Sequence, residues 1–441
     1  MSAEHCFRLP RLLLPRPGLD LAKWAVIACD QYTSEPEYWR RVEDAVGAAP
    51  STLHLIFPEL YLDAPAAPAR IARIQQTMRQ YLAGGLLREH VGAVYVERTL
   101  GRRVRRGLML ELDLEQYDYG PQSRSPIRPT EGTIVERLAP RIEVRRDAEL
   151  ELPHVLVLID DPQDSVIGPL AALRAKLPRL YEIELMLGGG HVAGYSVPVT
   201  HGEPMVHALR ALADSTAFAA RYGVPAGSPV LLFAVGDGNH SLATARACWD
   251  RIRDAVAGDH PARHALVEVV NIHDPALEFA PIHRLLFGVT ADIRAALSAE
   301  FGGRLTATEL PSAAVLWERI AAATGPRHVA GLLGPGPRFT LIEVAEPEST
   351  LAVGTFQPFV ERFLERGGAT EVDYVHGDET LARLAPQPGC VGLHLPVLGK
   401  HELLRRVVRE GPLPRKAFSM GEADSKRFYV EARRIRDRGG A

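Results

Sequence analysis

One short stretch constrains the fold more than any other. Pro229 to Val235 is an apolar strand-like run, Gly236-Asp237-Gly238-Asn239-His240 is a tight polar turn, and Leu242, Ala245, Trp249 and Ile252 then recur on one helical face. A strand that passes through two glycines into a helix needs a sheet beside the strand and a layer over the helix, so the chain belongs among the mixed α/β and α+β architectures. The same alternation runs elsewhere. Helices are predicted near 36–46, 71–82, 312–323, 357–366 and 399–410, and strands at Leu53–Phe57, Val155–Ile159, Ala265–Ile272, 328–333, 338–344 and 390–396. Val94–Glu97 and Gly107–Leu114 predict an antiparallel pair across a basic turn, and Met186–Val197 a glycine-turned hairpin.

With 441 residues the chain has room for about three domains. The pattern divides it into an amino-terminal α/β part (1–115), a core expected to carry the catalytic residues (116–290) and a carboxyl-terminal α/β part (291–441). Lys plus Arg number 51 against 54 for Asp plus Glu, a net charge of −3, with 46% hydrophobic and 24% charged residues. These values exclude a disordered or collagen-like chain and argue against nucleic acid or an anionic membrane as the general partner. No apolar run approaches the roughly 20 residues of a membrane span. The Leu12-Leu13-Leu14 run is too short and too Pro-broken for a signal peptide, and Cys6, Cys29, Cys248 and Cys390 make no paired spacing. A cytoplasmic protein with a small-molecule substrate is the expectation, its oligomeric state left open.

At the central turn, Gly236 and Gly238 let the backbone bend close to a ligand, and the helix start at Asn239 and Ser241 offers free N–H groups to an anion, phosphate above all. Asp237 could bind Mg²⁺ or orient a hydroxyl, and His240 could move a proton. An Asp-Gly turn with Ser241 as a helix cap is the simpler account of the same residues. The loop-rich segment 120–146 holds a second constellation, Arg128-Pro129-Thr130-Glu131-Gly132-Thr133 followed by Glu136 and Arg137. Guanidinium groups bind carboxylate or phosphate bidentately, and Glu131 is the candidate base; mutual salt bridges are the alternative. His283-Arg284 after a short strand could meet an anion or be structural. Asp160-Asp161 before Pro162 predicts a turn rather than a Mg²⁺ site, and Cys29 beside Asp30 is a weak nucleophile candidate. The basic residues between Arg405 and Arg438, with Glu402, Glu410, Glu422 and Glu431 interleaved, predict a solvated amphipathic helix. No P-loop, H-E-x-x-H, G-x-S-x-G or G-x-G-x-x-G pattern occurs.

Six stretches together resemble the domain-of-unknown-function family 1015: Trp24 to Pro36, Arg128 to Thr133, Glu151-Leu152-Pro153-His154, Gly236 to His240, Pro281-Ile282-His283-Arg284, and Arg415 to Ala423. The family's Asp-Gly-His-His-Arg turn is similar to the phosphate-contacting turn of the ParB/sulfiredoxin-like fold, which also hosts archaeal free serine kinases. Asp237, Gly238 and His240 match it, while Asn239 and Ser241 replace a His and an Arg. The resemblance implies a ParB/sulfiredoxin-like core and a Mg²⁺-dependent phosphotransferase working between ATP or ADP and a small hydroxylated metabolite such as serine or phosphoserine. Glu131, Asp237 and His240 would be catalytic, with Asp237 also the metal ligand. Gly236, Gly238, Asn239, Ser241, His283 and Arg284 would hold the phosphates, and Arg128, Thr130, Thr133 and Arg137 the substrate. The alternatives are a ParB-like nucleotide or nucleic-acid binding module without catalysis, and a small-molecule phosphatase.

Overall fold

The computed structural model describes residues 5–62, 64–334, 338–414, 416–421 and 423–437. Arg415, Glu422 and Arg438 lie outside the described residues. The chain forms two compact units, the first from 1–277, 404–412 and 421–441, the second from 278–403 and 413–420.

The first unit is built on a mixed sheet of nine strands: β1 (Phe7–Arg8), β2 (Val94–Leu100), β3 (Arg103–Asp113), β4 (Ile127–Pro129), β5 (Leu156–Ile159), β6 (Arg179–Leu185), β7 (Gly190–Ser196), β8 (Phe233–Asp237) and β9 (His264–Asn271). Their order is β6-β7-β2-β3-β9-β5-β8-β4, with β1 on the edge of β3. The expected boundary at 115/116 falls inside this sheet, because β3 pairs with β9 through seven residues from His264↔Asp113 to Val270↔Gly107. β5 runs parallel to β9, and β4 parallel to β8, so the carboxyl ends of β4 and β8 open on the same side. Helices α1 (Leu138–Arg146) and α2 (Asn239–Ile252) cover one face. There Leu108, Leu110, Val157, Phe233, Val235 and Val267 pack against Leu242, Ala245 and Trp249. This is the face that the 3.6-residue period of α2 requires.

Strand alternation sends the neighbouring side chains to the opposite face. Val94, Val96, Met109 and Leu266 meet Trp39, Val42, Phe428 and Tyr429 there. Glu111 and Glu268 point the same way and are buried. Arg8 and Arg105 supply one counter-ion to each, and a second arrives on the segment 423–437, which after a 3₁₀ turn at Ala423–Ser425 is extended. Phe428–Tyr429 pairs with Val26–Ile27, and Arg433–Arg434 with Leu150–Glu151. Arg427 pairs with Glu268 and Glu431, and Arg433 Nε with Glu151 Oε1 at 2.7 Å. The expectation of a solvated amphipathic helix is therefore met, among the described residues, only at Lys400–Glu410; beyond it Arg427 and Arg433 are drawn inward by carboxylates from distant strands. Leu53–Phe57 is buried as predicted, but a 3₁₀ turn at Thr52–His54 takes the place of the expected strand. Asp161 does form the predicted turn, accepting from Ser165 Oγ at 3.0 Å and Val166 N–H at 2.8 Å.

The second unit carries an antiparallel sheet: β10 (Phe279–Phe287), β11 (Leu305–Leu310), β12 (His328–Gly334), β13 (Arg338–Val344), β14 (Glu371–His376), β15 (Val391–His394) and β16 (Phe418–Met420), ordered β11-β13-β12-β15-β10-β14 with β16 on β10. Leu285, Val329, Leu333 and Leu341 pack with Leu316 and Ile320 from helix 313–321. Among the described residues no helix is long and apolar enough to cross a membrane.

Candidate functional site

β8 ends at Asp237, Gly238 turns the chain with φ +76°, and α2 begins at Asn239 with no side chain capping it. The first intrahelical bond is Leu242 N–H to Gly238 O at 3.1 Å, so the N–H groups of Asn239, His240 and Ser241 have no partner inside the helix. Glycine is required at 238 on two counts: the left-handed backbone, and a Cβ that would lie 3.0 Å from Cα and Cγ2 of Val155. Gly238→Ala is expected to destabilise the first unit by about 1–3 kcal/mol, measured by urea unfolding; an unchanged midpoint would mean that the turn relaxes.

Burial alone would raise the Asp237 carboxyl, but Lys426 beside it outweighs that and holds it below the usual carboxylate range. Lys426 Nζ lies 2.9 Å from Oδ2, and Gly238 N–H donates to Oδ1 at 2.9 Å. Asp237 is thus an anion over the working pH range, suited to holding a cation and poor as a base. Asn239 Oδ1 is shielded from solvent and has no hydrogen-bond partner. On the next residues of α2, Ser241 Oγ lies 2.8 Å from His154 Nε2, and His154 Nδ1 lies 2.7 Å from the Tyr429 hydroxyl. That hydroxyl accepts from Cys29 N–H at 3.1 Å, and Asp30 Oδ2 stands 3.9 Å from His154 Nε2. Burial and the Asp30 carboxylate push the Cys29 thiol well up, so it stays protonated and is no nucleophile. Cys29, His154, Ser241 and Tyr429 line a cavity of about 150 Å³ together with Glu59 and Arg141, which form an ion pair at 2.7 Å.

The segment after β4 is fastened to this turn at two points. Thr130 gives both its N–H and its hydroxyl to Val235 O, at 3.1 and 2.8 Å, and Ile134 N–H donates to His240 Nε2 at 3.4 Å. Glu131, Gly132 and Thr133 are therefore held beside the β8–α2 turn, with Thr133 against the Tyr117 hydroxyl. The structure thus brings Glu131, Thr130 and Thr133 together with residues 236–241. Arg128 instead lines a different depression, and Arg137, at the exposed start of α1, has its carbonyl bonded to Arg141. His283 and Arg284 belong to the second unit and are fully buried within it. There His283 Nε2 meets Asp378 at 2.9 Å, and Arg284 Nε donates to Gln357 Oε1 at 2.8 Å.

Lys426, His154, Tyr429 and Asp30 were not among the expected site residues. His154 and Asp30 lie in stretches that carry the family resemblance, and the aromatic and β-branched run Phe428-Tyr429-Val430 after Lys426 was a strand signal inside a helix-like charge pattern.

Comparison with known proteins gives the following. No curated protein matches. Among solved structures, a mutant free serine kinase in complex with AMP aligns at a TM-score of 0.40 and 11% identity, over 76% of this chain and 94% of that one. A mutant free serine kinase in complex with ADP aligns at 0.40 and 12%, over 76% and 95%. A conserved hypothetical protein from Pyrococcus furiosus aligns at 0.36 and 10%, over 77% and 98%. Five of the six stretches quoted from the sequence lie within residues 13–363, which match a family profile described as protein of unknown function (DUF1015), and the chain belongs to that family.

Proposed function

We propose that the first unit is a phosphotransferase acting between a nucleotide and a small hydroxylated metabolite, with serine or phosphoserine as the first substrate to test. The observation that carries this is the uncapped amino end of α2 with an Asp237–Lys426 ion pair set against it. The N–H groups at the uncapped helix start and an ammonium group beside them suit the phosphates of a nucleotide. Phosphoryl transfer needs positioning and charge stabilisation more than covalent help from the protein, and fixed donors of this kind supply both. The donors for a Mg²⁺ ion are also of the right chemistry: Asp237 and the unpartnered Asn239 Oδ1 would hold it, leaving its other positions to water and phosphate. When bound, the ion would neutralise charge on the phosphates.

The chain's own residues divide the remaining work. Glu131, held beside the turn, takes the proton of the acceptor hydroxyl, since Asp237 is too acidic for that task. Ser241 and His154, aligned by Tyr429, face the cavity and orient the acceptor. His240 accepts the Ile134 N–H at Nε2, which puts the ring proton on Nδ1 and fixes the imidazole beside the turn.

Phosphorus NMR of the full chain with Mg²⁺ tests the proposal, once with ATP or ADP plus serine and once with phosphoserine plus ADP or AMP. Appearance of phosphoserine, or its loss matched by a nucleotide gain, is the expected result. Inorganic phosphate alone would make the protein a phosphatase. No change in any tube would remove serine as substrate and favour a nucleotide-binding module.

A further inference from the structure

Arg128 is 6% exposed, yet among the described residues its guanidinium reaches only two main-chain carbonyls, Ser123 O at 3.5 Å and Pro229 O at 3.4 Å, both at the long limit of a hydrogen bond. Its Nε has no partner. Burial pushes the guanidinium down to about 10. Arg427 and Arg433 in the same unit are equally buried, but each is met by carboxylates. A buried cation without a counter-ion is costly, and Arg128 is not sealed in. It forms part of the wall of an open depression of about 770 Å³.

The wall holds two further cations, Arg409 and Arg124. Arg409 donates to Tyr222 O at 3.0 Å and Gly223 O at 3.3 Å, carbonyls at the carboxyl end of helix 215–222, which attracts a cation. Gly223, with φ +60°, makes the room: a Cβ there would lie 2.8 Å from Arg409 Nη2. Arg124 is exposed on the rim. Glu410, the acidic residue of the wall, is already paired with Arg406 at 2.6 Å.

We propose that the depression walled by Arg124, Arg128 and Arg409 binds a small organic anion through a carboxylate or phosphate group, with Arg128 as the buried anchor. The planar guanidinium fork matches either group bidentately, and the ligand supplies the counter-charge that the protein withholds. The site is separate from the α2 turn and does not depend on the phosphotransferase proposal.

The test uses the full chain in thermal unfolding and calorimetric titration, with inorganic phosphate in one arm and succinate in the other. Ionic strength is fixed with chloride, and wild type is compared with Arg128→Met and Arg409→Gln. By mass action, an anion at about a hundredfold excess over its Kd raises Tm by several degrees. The expected result is such a rise in wild type, none in Arg128→Met, and an affinity about tenfold weaker in Arg409→Gln. A response to phosphate assigns a phosphorylated ligand, and one to succinate a carboxylate. Equal shifts in all three proteins would place the anion elsewhere, at the α2 turn for instance, and overturn the proposal, as would no shift in wild type with either anion. Should Arg128→Met not fold, the exposed Arg409→Gln decides alone.

Discussion

Arg427→Ala is expected to lower the stability of the first unit by about 3–5 kcal/mol, the cost of stranding buried carboxylates. Arg427 is 4% exposed and bonds Glu268, Glu431 and Pro153 O, and both glutamates are buried. Burial alone would raise the Glu268 carboxyl, but Arg105 and Arg427 hold it below its ordinary value. A carboxyl with a depressed folded value stabilises the fold above its ordinary pKa, and that contribution is lost as the pH falls through the folded value. Wild-type Tm should therefore decline below about pH 4.5, and the decline should be shallower in Arg427→Ala, because Glu268 then loses much of what depresses it. Urea unfolding at pH 7 and a Tm series from pH 7 to 3 read both effects. A variant within about 1 kcal/mol of wild type would mean that water reaches these glutamates.

Lys426→Met should strike activity rather than fold. In the phosphoryl-transfer assay it is expected to lower kcat by about 10²–10³-fold, the usual cost of removing a fixed charge from a transferring phosphoryl group. Asp237→Asn should do the same, because Asp237 Oδ2 is what holds the ammonium group in place. The double variant should be little worse than either single, since the pair acts as a unit. Thermal unfolding provides the control for folding. Full activity in Lys426→Met would detach the ion pair from the chemistry.

The sequence made the β8–α2 unit legible because its signals agree: an apolar run, two glycines, then a helical apolar period. Helices 313–321 and 352–365 and strands β12 and β13 were legible for the same reason. The segment 423–437 was not. Arg427 and Glu431 stand four apart as in a helix and do pair, but on an extended backbone, and the other acids they serve are far off in sequence: Glu268 lies 159 residues from Arg427, and Glu151 lies 282 from Arg433. Spacing rules see only neighbours, so a charge pattern satisfied by tertiary contacts is indistinguishable from a solvated one. The site suffered likewise. Asp237 and His240 could be found from their turn, whereas Lys426 and Tyr429 reach it only through the pairing of Phe428–Tyr429 with Val26–Ile27.

That pairing also fixes when the first unit is completed during synthesis. Residues 278–403, the bulk of the second unit, are translated between the sheet of the first unit and the segment that completes it. At about 5–20 residues per second, the nascent sheet waits roughly 8–30 seconds with Glu268 and Glu151 lacking Arg427 and Arg433, and with Asp237 lacking its ammonium partner. A ribosome-bound chain that ends before residue 426 lacks the partners of Asp237, Glu268 and Glu151 that the segment 426–433 brings.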